Sequence, residues 1–178
     1  MLQLDCWHNI SNGKFLHIEI GIFLCGKFPL EKDNIFWVER GIMVRYIFAS
    51  HYRMADGLKE TVEFLTSVNE NVYAISAYVT ENYNIEEEIK KVFDKFSKED
   101  KVVVMTDVLA GSVNQKFIPY VNENIFLITG INAPLAMELV LLPEECINKE
   151  QLSNSVKLAR ETIQFVNEIS SDANEEDE

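Results

Sequence analysis

The chain has 178 residues, 47% of them apolar, and a formal net charge of −13. That length suits one domain of ordinary size with a proper core plus an extension or a tail, and no apolar run reaches the roughly 20 residues that a membrane-spanning helix needs. Five of the negative charges are Asp172, Glu175, Glu176, Asp177 and Glu178, and removing those five still leaves the body at −8, which argues against nucleic acid as a partner and for a basic protein instead.

Residues 1–42 mix aromatics, glycines and charges without a sustained strand or helix period. The longest apolar stretch there, residues 18–24, is broken by Glu19. The start also lacks the basic stretch and small-residue cleavage site of a secretory signal, so the chain is expected in the cytoplasm. Met43 stands directly before the first clear strand pattern. The expectation is that Met43 is the natural start and that residues 1–42 are an upstream extension of doubtful status; the alternative is an N-terminal hairpin packed on the domain. Cys6, Cys25 and Cys146 are odd in number and widely spaced, which makes neither a disulfide framework nor a zinc pattern. Cys6 and His8 are two metal-capable groups without a second pair, so no metal is expected. Asn9-Ile10-Ser11 matches a glycosylation sequon that has no consequence in a cytoplasmic chain.

From Met43 onward strands and helices alternate. Residues 44–49 read as a strand, and Leu58, Val62 and Leu65 place a helix over 55–66. A second strand covers 71–79. Asn84 is a good N-cap for the next helix, whose first turn holds Glu86, Glu87 and Glu88 where the helix dipole favours negative charge. Its buried stripe is Ile85, Ile89, Val92, Phe93 and Phe96. The run Val102-Val103-Val104-Met105 in strand 101–106 suits burial on both faces, as in a parallel sheet. A loop over 107–111 leads into a helix at Ser112. Strand 124–129 runs into Gly130, and a helix over 132–142 tolerates Pro134 in its first turn and stops at Pro143. Leu152, Val156, Ala159, Ile163 and Val166 mark one side of the last helix. This order predicts an α/β class: a doubly wound, mainly parallel four-stranded sheet with helices on both faces. The domain proper is expected over 43–170, followed by an acidic disordered tail over 171–178.

In such a fold ligands gather at the carboxyl ends of the strands. Ala49-Ser50-His51, the segment from Thr106 through Asp107 and Gly111 to Ser112, and Thr129-Gly130-Ile131-Asn132 all fall there. Neutral imidazole is a nucleophile near pH 7 and can take a phosphoryl group on one ring nitrogen. A carboxylate on the other nitrogen fixes the tautomer and stabilises the positive ring that develops. Gly111 allows close backbone approach, and Ser112 at a helix start adds a donor to the backbone N–H groups that bind anionic oxygens. On residue chemistry alone, a structural histidine and a plain turn aspartate remain open alternatives. Arg53 either helps to hold phosphate or is simply exposed to solvent.

Three segments carry a resemblance. Tyr46-Ile47-Phe48-Ala49-Ser50-His51, the run Val103-Val104-Met105-Thr106-Asp107-Val108-Leu109-Ala110-Gly111-Ser112-Val113-Asn114, and Ile128-Thr129-Gly130-Ile131-Asn132-Ala133-Pro134-Leu135-Ala136-Met137-Glu138 resemble the enzyme IIA domains of the mannose/fructose/sorbose family of the bacterial phosphotransferase system. The resemblance covers roughly residues 43–170. It implies that His51 takes phosphate from phospho-HPr, that Asp107 orients it, and that Ser112 with the backbone around Gly111 binds the phosphoryl group. Ser50 and Asn132 would line the site. The phosphate would pass to a sugar-specific IIB component and serve the membrane permease, with no cofactor in this chain. Family members are commonly dimers that exchange a C-terminal strand, which would add an antiparallel edge strand to the sheet. Ala110 stands where a glycine is usual, Val113 where proline is common, and Leu109 where an aromatic is frequent; these departures bear on the pocket and the choice of partner. The competing readings are the phosphotransfer subunit of a dihydroxyacetone kinase system, and a regulatory binding domain without transfer activity.

Overall fold

A computed structural model describes residues 43–167. The expected extension over 1–42 and the acidic tail over 171–178 lie outside the described residues. Four strands, β1 (Val44–His51), β2 (Val72–Ala77), β3 (Lys101–Thr106) and β4 (Ile125–Thr129), form one parallel sheet in the order β2-β1-β3-β4. Five helices follow or separate them: α1 (Met54–Thr66), α2 (Ile85–Phe93), α3 (Ser112–Phe117), α4 (Ala133–Leu141) and α5 (Lys149–Glu161). The predicted doubly wound α/β class is therefore the observed one.

The strands sit where they do because alternate residues feed two separate cores. Val44, Tyr46 and Phe48 of β1, with Val103 and Met105 of β3, pack against Val62 of α1, Leu139 of α4 and Leu152 of α5. Ile47 and Ala49, with Val102 and Val104, pack against Ile89 of α2 and Val113 and Phe117 of α3. Full burial of β1 and β3 on both faces explains their unbroken apolar runs. The edge strand β4 is only half-buried along its length.

The helix starts follow the asparagines. The Asn84, Asn132 and Asn148 side chains accept backbone N–H bonds at the first turns of α2, α4 and α5. Two expected apolar stripes run further in the sequence than in the structure. Leu65 is exposed beside Phe64, and Ile163 and Val166 are exposed beyond the end of α5 at Glu161. Apolar spacing sets which side of a helix a residue takes, but not whether a neighbouring element reaches that far to cover it. At α5 the helix itself stops first: Thr162 is its C-cap, and the Thr162 hydroxyl bonds the Ala159 carbonyl at 2.7 Å.

Chain direction in the sheet changes between β1 and β3. After β1 the chain crosses to one side to make β2, then returns to the other to make β3 and β4. The loops after β1 and β3 therefore part company and leave a crevice at the carboxyl edge, the usual place for a site in this architecture.

Candidate functional site

The parallel register sets Ala49 of β1 beside Thr106 of β3. The two strands leave the sheet together, which brings Asp107 against His51. Oδ2 of Asp107 accepts the backbone N–H of His51 at 2.8 Å and lies 2.8 Å from its Nδ1. Oδ1 accepts the Val108 N–H at 2.8 Å. The carboxylate is thus gripped by backbone and ring together. Burial alone pushes its carboxyl upward, but the bonds from the His51 N–H, the His51 ring and the Val108 N–H outweigh it and hold Asp107 below the ordinary aspartate value.

On the far side of the ring, Nε2 lies 3.0 Å from the Ser112 hydroxyl at the start of α3. A proton on Nδ1, donated to Asp107, leaves Nε2 with its lone pair free to accept from Ser112. The His51 side chain is 41% exposed while that of Asp107 is 9% exposed. The imidazole is open to solvent, while the carboxylate at its Nδ1 is nearly covered.

Gly111 closes one edge of this slot. A Cβ added there would stand 3.2 Å from Cε1 of His51 and 3.2 Å from the Val108 carbonyl, so the close approach that glycine permits is used. The loop is tied from below by Asn114. That side chain is buried; its Oδ1 accepts the Ala110 N–H at 3.3 Å and its Nδ2 donates to the Thr106 hydroxyl at 3.0 Å. Ala110 has φ of +59°, the left-handed conformation in which glycine is the comfortable residue.

The other expected site residues have more local tasks. The Ser50 hydroxyl is buried and accepts the Ala55 N–H at 2.7 Å, fastening the start of α1. Asn132 caps α4 through the Leu135 N–H at 2.9 Å. Arg53 is exposed, with its guanidinium 5.9 Å from the centre of the Tyr52 ring. Tyr78, at the end of β2, was missed by sequence reasoning; its ring lies 5.7 Å from the His51 ring, tilted by 35°. The role of Asn114 was missed as well, although it stands in the quoted motif. A buried amide two residues after a helix-opening serine gives no periodic signal, and a tyrosine at a strand end reads as an ordinary β-former.

Tyr52, Tyr78, Val108 and Leu109, in the loops after β1, β2 and β3, and Met54, the first residue of α1, are all exposed. Among the described residues no group of acidic, cysteine or histidine side chains is arranged to hold a metal ion, and no helix is long and apolar enough to cross a membrane.

Comparison with known proteins agrees with this fold. Residues 45–157 match the family described as the PTS system fructose IIA component. A solved structure from Klebsiella pneumoniae subsp. pneumoniae, provisionally described as a phosphoenolpyruvate-dependent sugar phosphotransferase system permease, is 30% identical, with a TM-score of 0.66 over 72% of this chain and 94% of that one. The PTS IIA protein associated with the fucose utilization operon of Streptococcus pneumoniae is 25% identical, with a TM-score of 0.61 over 71% of this chain and 96% of that one. The mannose/sorbose specific IIA subunit of Enterococcus faecalis shares the fold at 14% identity, with a TM-score of 0.59 over 70% of this chain and 95% of that one. No curated protein matches the sequence.

Proposed function

The chain belongs to the fructose IIA component family of the phosphotransferase system, and from that premise we propose that it is a cytoplasmic phosphoryl carrier that takes phosphate from phospho-HPr on His51 and hands it to a IIB component for sugar uptake. The observation that carries this reading is the imidazole held at both nitrogens, with Asp107 at Nδ1 and Ser112 at Nε2, at the switch point of the sheet.

The lone pair of Nε2 attacks phosphorus in line with the donor nitrogen. A new N–P bond forms as the old one breaks, and the electron pair of the broken bond returns to the donor imidazole. The proton on Nδ1 stays in place, so phosphorylated His51 is a cationic ring, and the Asp107 carboxylate offsets that charge. Once Nε2 carries phosphorus, the Ser112 hydroxyl is released to donate to a phosphoryl oxygen. The first-turn N–H groups of α3 have no carbonyl of their own helix to bond and supply further donors. Transfer to IIB is the same displacement run outward.

The exposed apolar side chains on the loops that follow β1, β2 and β3 support a protein as the phosphate donor. Exposed aromatic and aliphatic side chains around a reactive group suit a surface that a partner covers, excluding water while two imidazoles approach. The acidic body would attract the basic face expected of HPr. The edge of β4, flanked by a groove lined with Val121, Phe126, Ile128, Leu152 and Val156, together with exposed Ile163, Phe165 and Val166, supports a homodimer in which C-terminal segments are exchanged. Replacing Phe165 and Val166 with glutamate should shift the protein from dimer to monomer in sedimentation; an unchanged dimer would refute the exchange.

His51→Ala tests the central claim. Incubated with labelled phosphoenolpyruvate, enzyme I and HPr, the parent chain should gain acid-labile phosphate and the variant none. Undiminished labelling of the variant would overturn the assignment.

A further inference from the structure

We propose that Tyr78 is a positioning residue for His51: its ring lies beside the imidazole and shields the phosphorylated ring from water. This rests on reading His51 as the phosphate carrier.

The hydrogen bonds in the slot hold the imidazole unequally in its two states. In the free state Nδ1 is tied to Asp107 and Nε2 to Ser112. Phosphorylation consumes the Nε2 lone pair, so the Ser112 bond to the ring is lost just when the ring carries the group that must stay aligned. Only Asp107 then tethers it through a hydrogen bond. The remaining restraint is contact: Gly111 close to Cε1, and the Tyr78 ring at 5.7 Å with a 35° tilt. A tilted aromatic neighbour also suits the cationic ring that phosphorylation creates.

The backbone points the same way. Tyr78 has φ of +62°, a conformation that glycine or asparagine takes readily and a bulky aromatic takes under strain. The turn after β2 would be made more easily by either of those residues. Strain of this kind persists where the surroundings hold it and a side chain is needed at that spot. Tyr83 supplies the hold: its ring meets Tyr78 edge-on at 6.2 Å and 64°, and its N–H bonds the Thr80 carbonyl at 3.3 Å. The result is a row of rings, His51, Tyr78 and Tyr83, lying across the ends of β1 and β2. A phosphohistidine exposed on every side loses its phosphate to water; one face covered by an aromatic ring slows that loss.

Tyr78→Asn removes the ring and suits the left-handed backbone, and Tyr78→Phe keeps the ring. The isolated phosphorylated proteins, freed of HPr, should be followed for loss of phosphate, and the His51 ring protons of the unphosphorylated proteins by NMR. Tyr78→Asn is expected to lose phosphate about fivefold faster and to shift the His51 ring signals, while Tyr78→Phe matches the parent in both. Tyr83→Leu, which removes the support, should fall between. A Tyr78→Asn protein with the parental phosphate lifetime would overturn the proposal, whatever its ring signals and even if its uptake from HPr were slower, because Tyr78 would then serve only partner contact. Failure of the parent chain to label at all would instead refute His51 as carrier.

Discussion

An imidazole that takes up and releases a phosphoryl group needs one nitrogen held and the other open, and Asp107 does the holding here. Asp107→Asn keeps the shape of the side chain but removes its charge and allows the amide to favour the wrong tautomer. Phosphate uptake should slow by about 10³-fold or more, on the scale seen when an orienting aspartate behind a catalytic histidine is so replaced, with the fold unchanged by circular dichroism. The same residue carries a pH signature. Because its folded value is held below the ordinary aspartate value, near 3.9 in an unfolded chain, its bonds add stability that is fully present above that pH. That stability is lost as pH falls through the lower, folded value. Urea unfolding of the parent chain should therefore show a loss below about pH 4 that is smaller in Asp107→Asn. Gly111→Ala acts on geometry alone. A Cβ 3.2 Å from both Cε1 of His51 and the Val108 carbonyl must push the ring, since the backbone oxygen yields less easily. A displacement of a few tenths of an ångström should slow uptake about tenfold, read as a lower rate at unchanged stability.

The loop between β3 and α3 is the element that makes the site, and its one uncomfortable residue is Ala110. With φ of +59°, alanine there carries a left-handed penalty of about 1–2 kcal/mol, partly offset by the extra freedom a glycine would have unfolded. Ala110→Gly should thus stabilise the protein by about 0.5–1 kcal/mol, seen as a rise in denaturant midpoint. A lower midpoint would mean that the alanine methyl makes contacts worth more than the strain. This residue also shows what was legible beforehand. The sequence marked Ala110 as a departure from a glycine, and the structure gives the reason it matters. The helices and strands were readable because their periods come from burial on two faces of one sheet, as in the runs at 44–49 and 102–105. His51, Asp107 and Ser112 were readable because their side chains are chemical and sit at strand ends. Tyr78 and Asn114 were not, since their roles depend on which loops lie side by side. That is a property of strand order, which local periodicity does not encode.

Across the described domain, the proposed site and the anchorage occupy opposite ends of the sheet. At the end away from His51, Arg45 of β1 is buried and pairs through Nε with Asp100 at 3.1 Å, while another guanidinium nitrogen donates to Asn71 at 2.6 Å. Asp100 also accepts the N–H groups of Met43, at 3.3 Å, and Ser97, at 3.2 Å. One carboxylate therefore fastens the entry of β1 to the turn before β3, the same two strands whose far ends carry His51 and Asp107. Burying such a pair costs desolvation, so the pair adds little relative to apolar substitutes, but removing one partner leaves the other charge stranded. Asp100→Ala should lower stability by about 3–5 kcal/mol. Six-residue β3 and its neighbours are packed on both faces by helices, so loosening one end need not tilt the other while the core holds. At temperatures where the variant stays folded, its rate of phosphate uptake should match the parent's. A rate that drops in step with stability, measured by stopped uptake assays beside urea unfolding, would show that the register between β1 and β3 is set from this end and that the site inherits its geometry from the clamp.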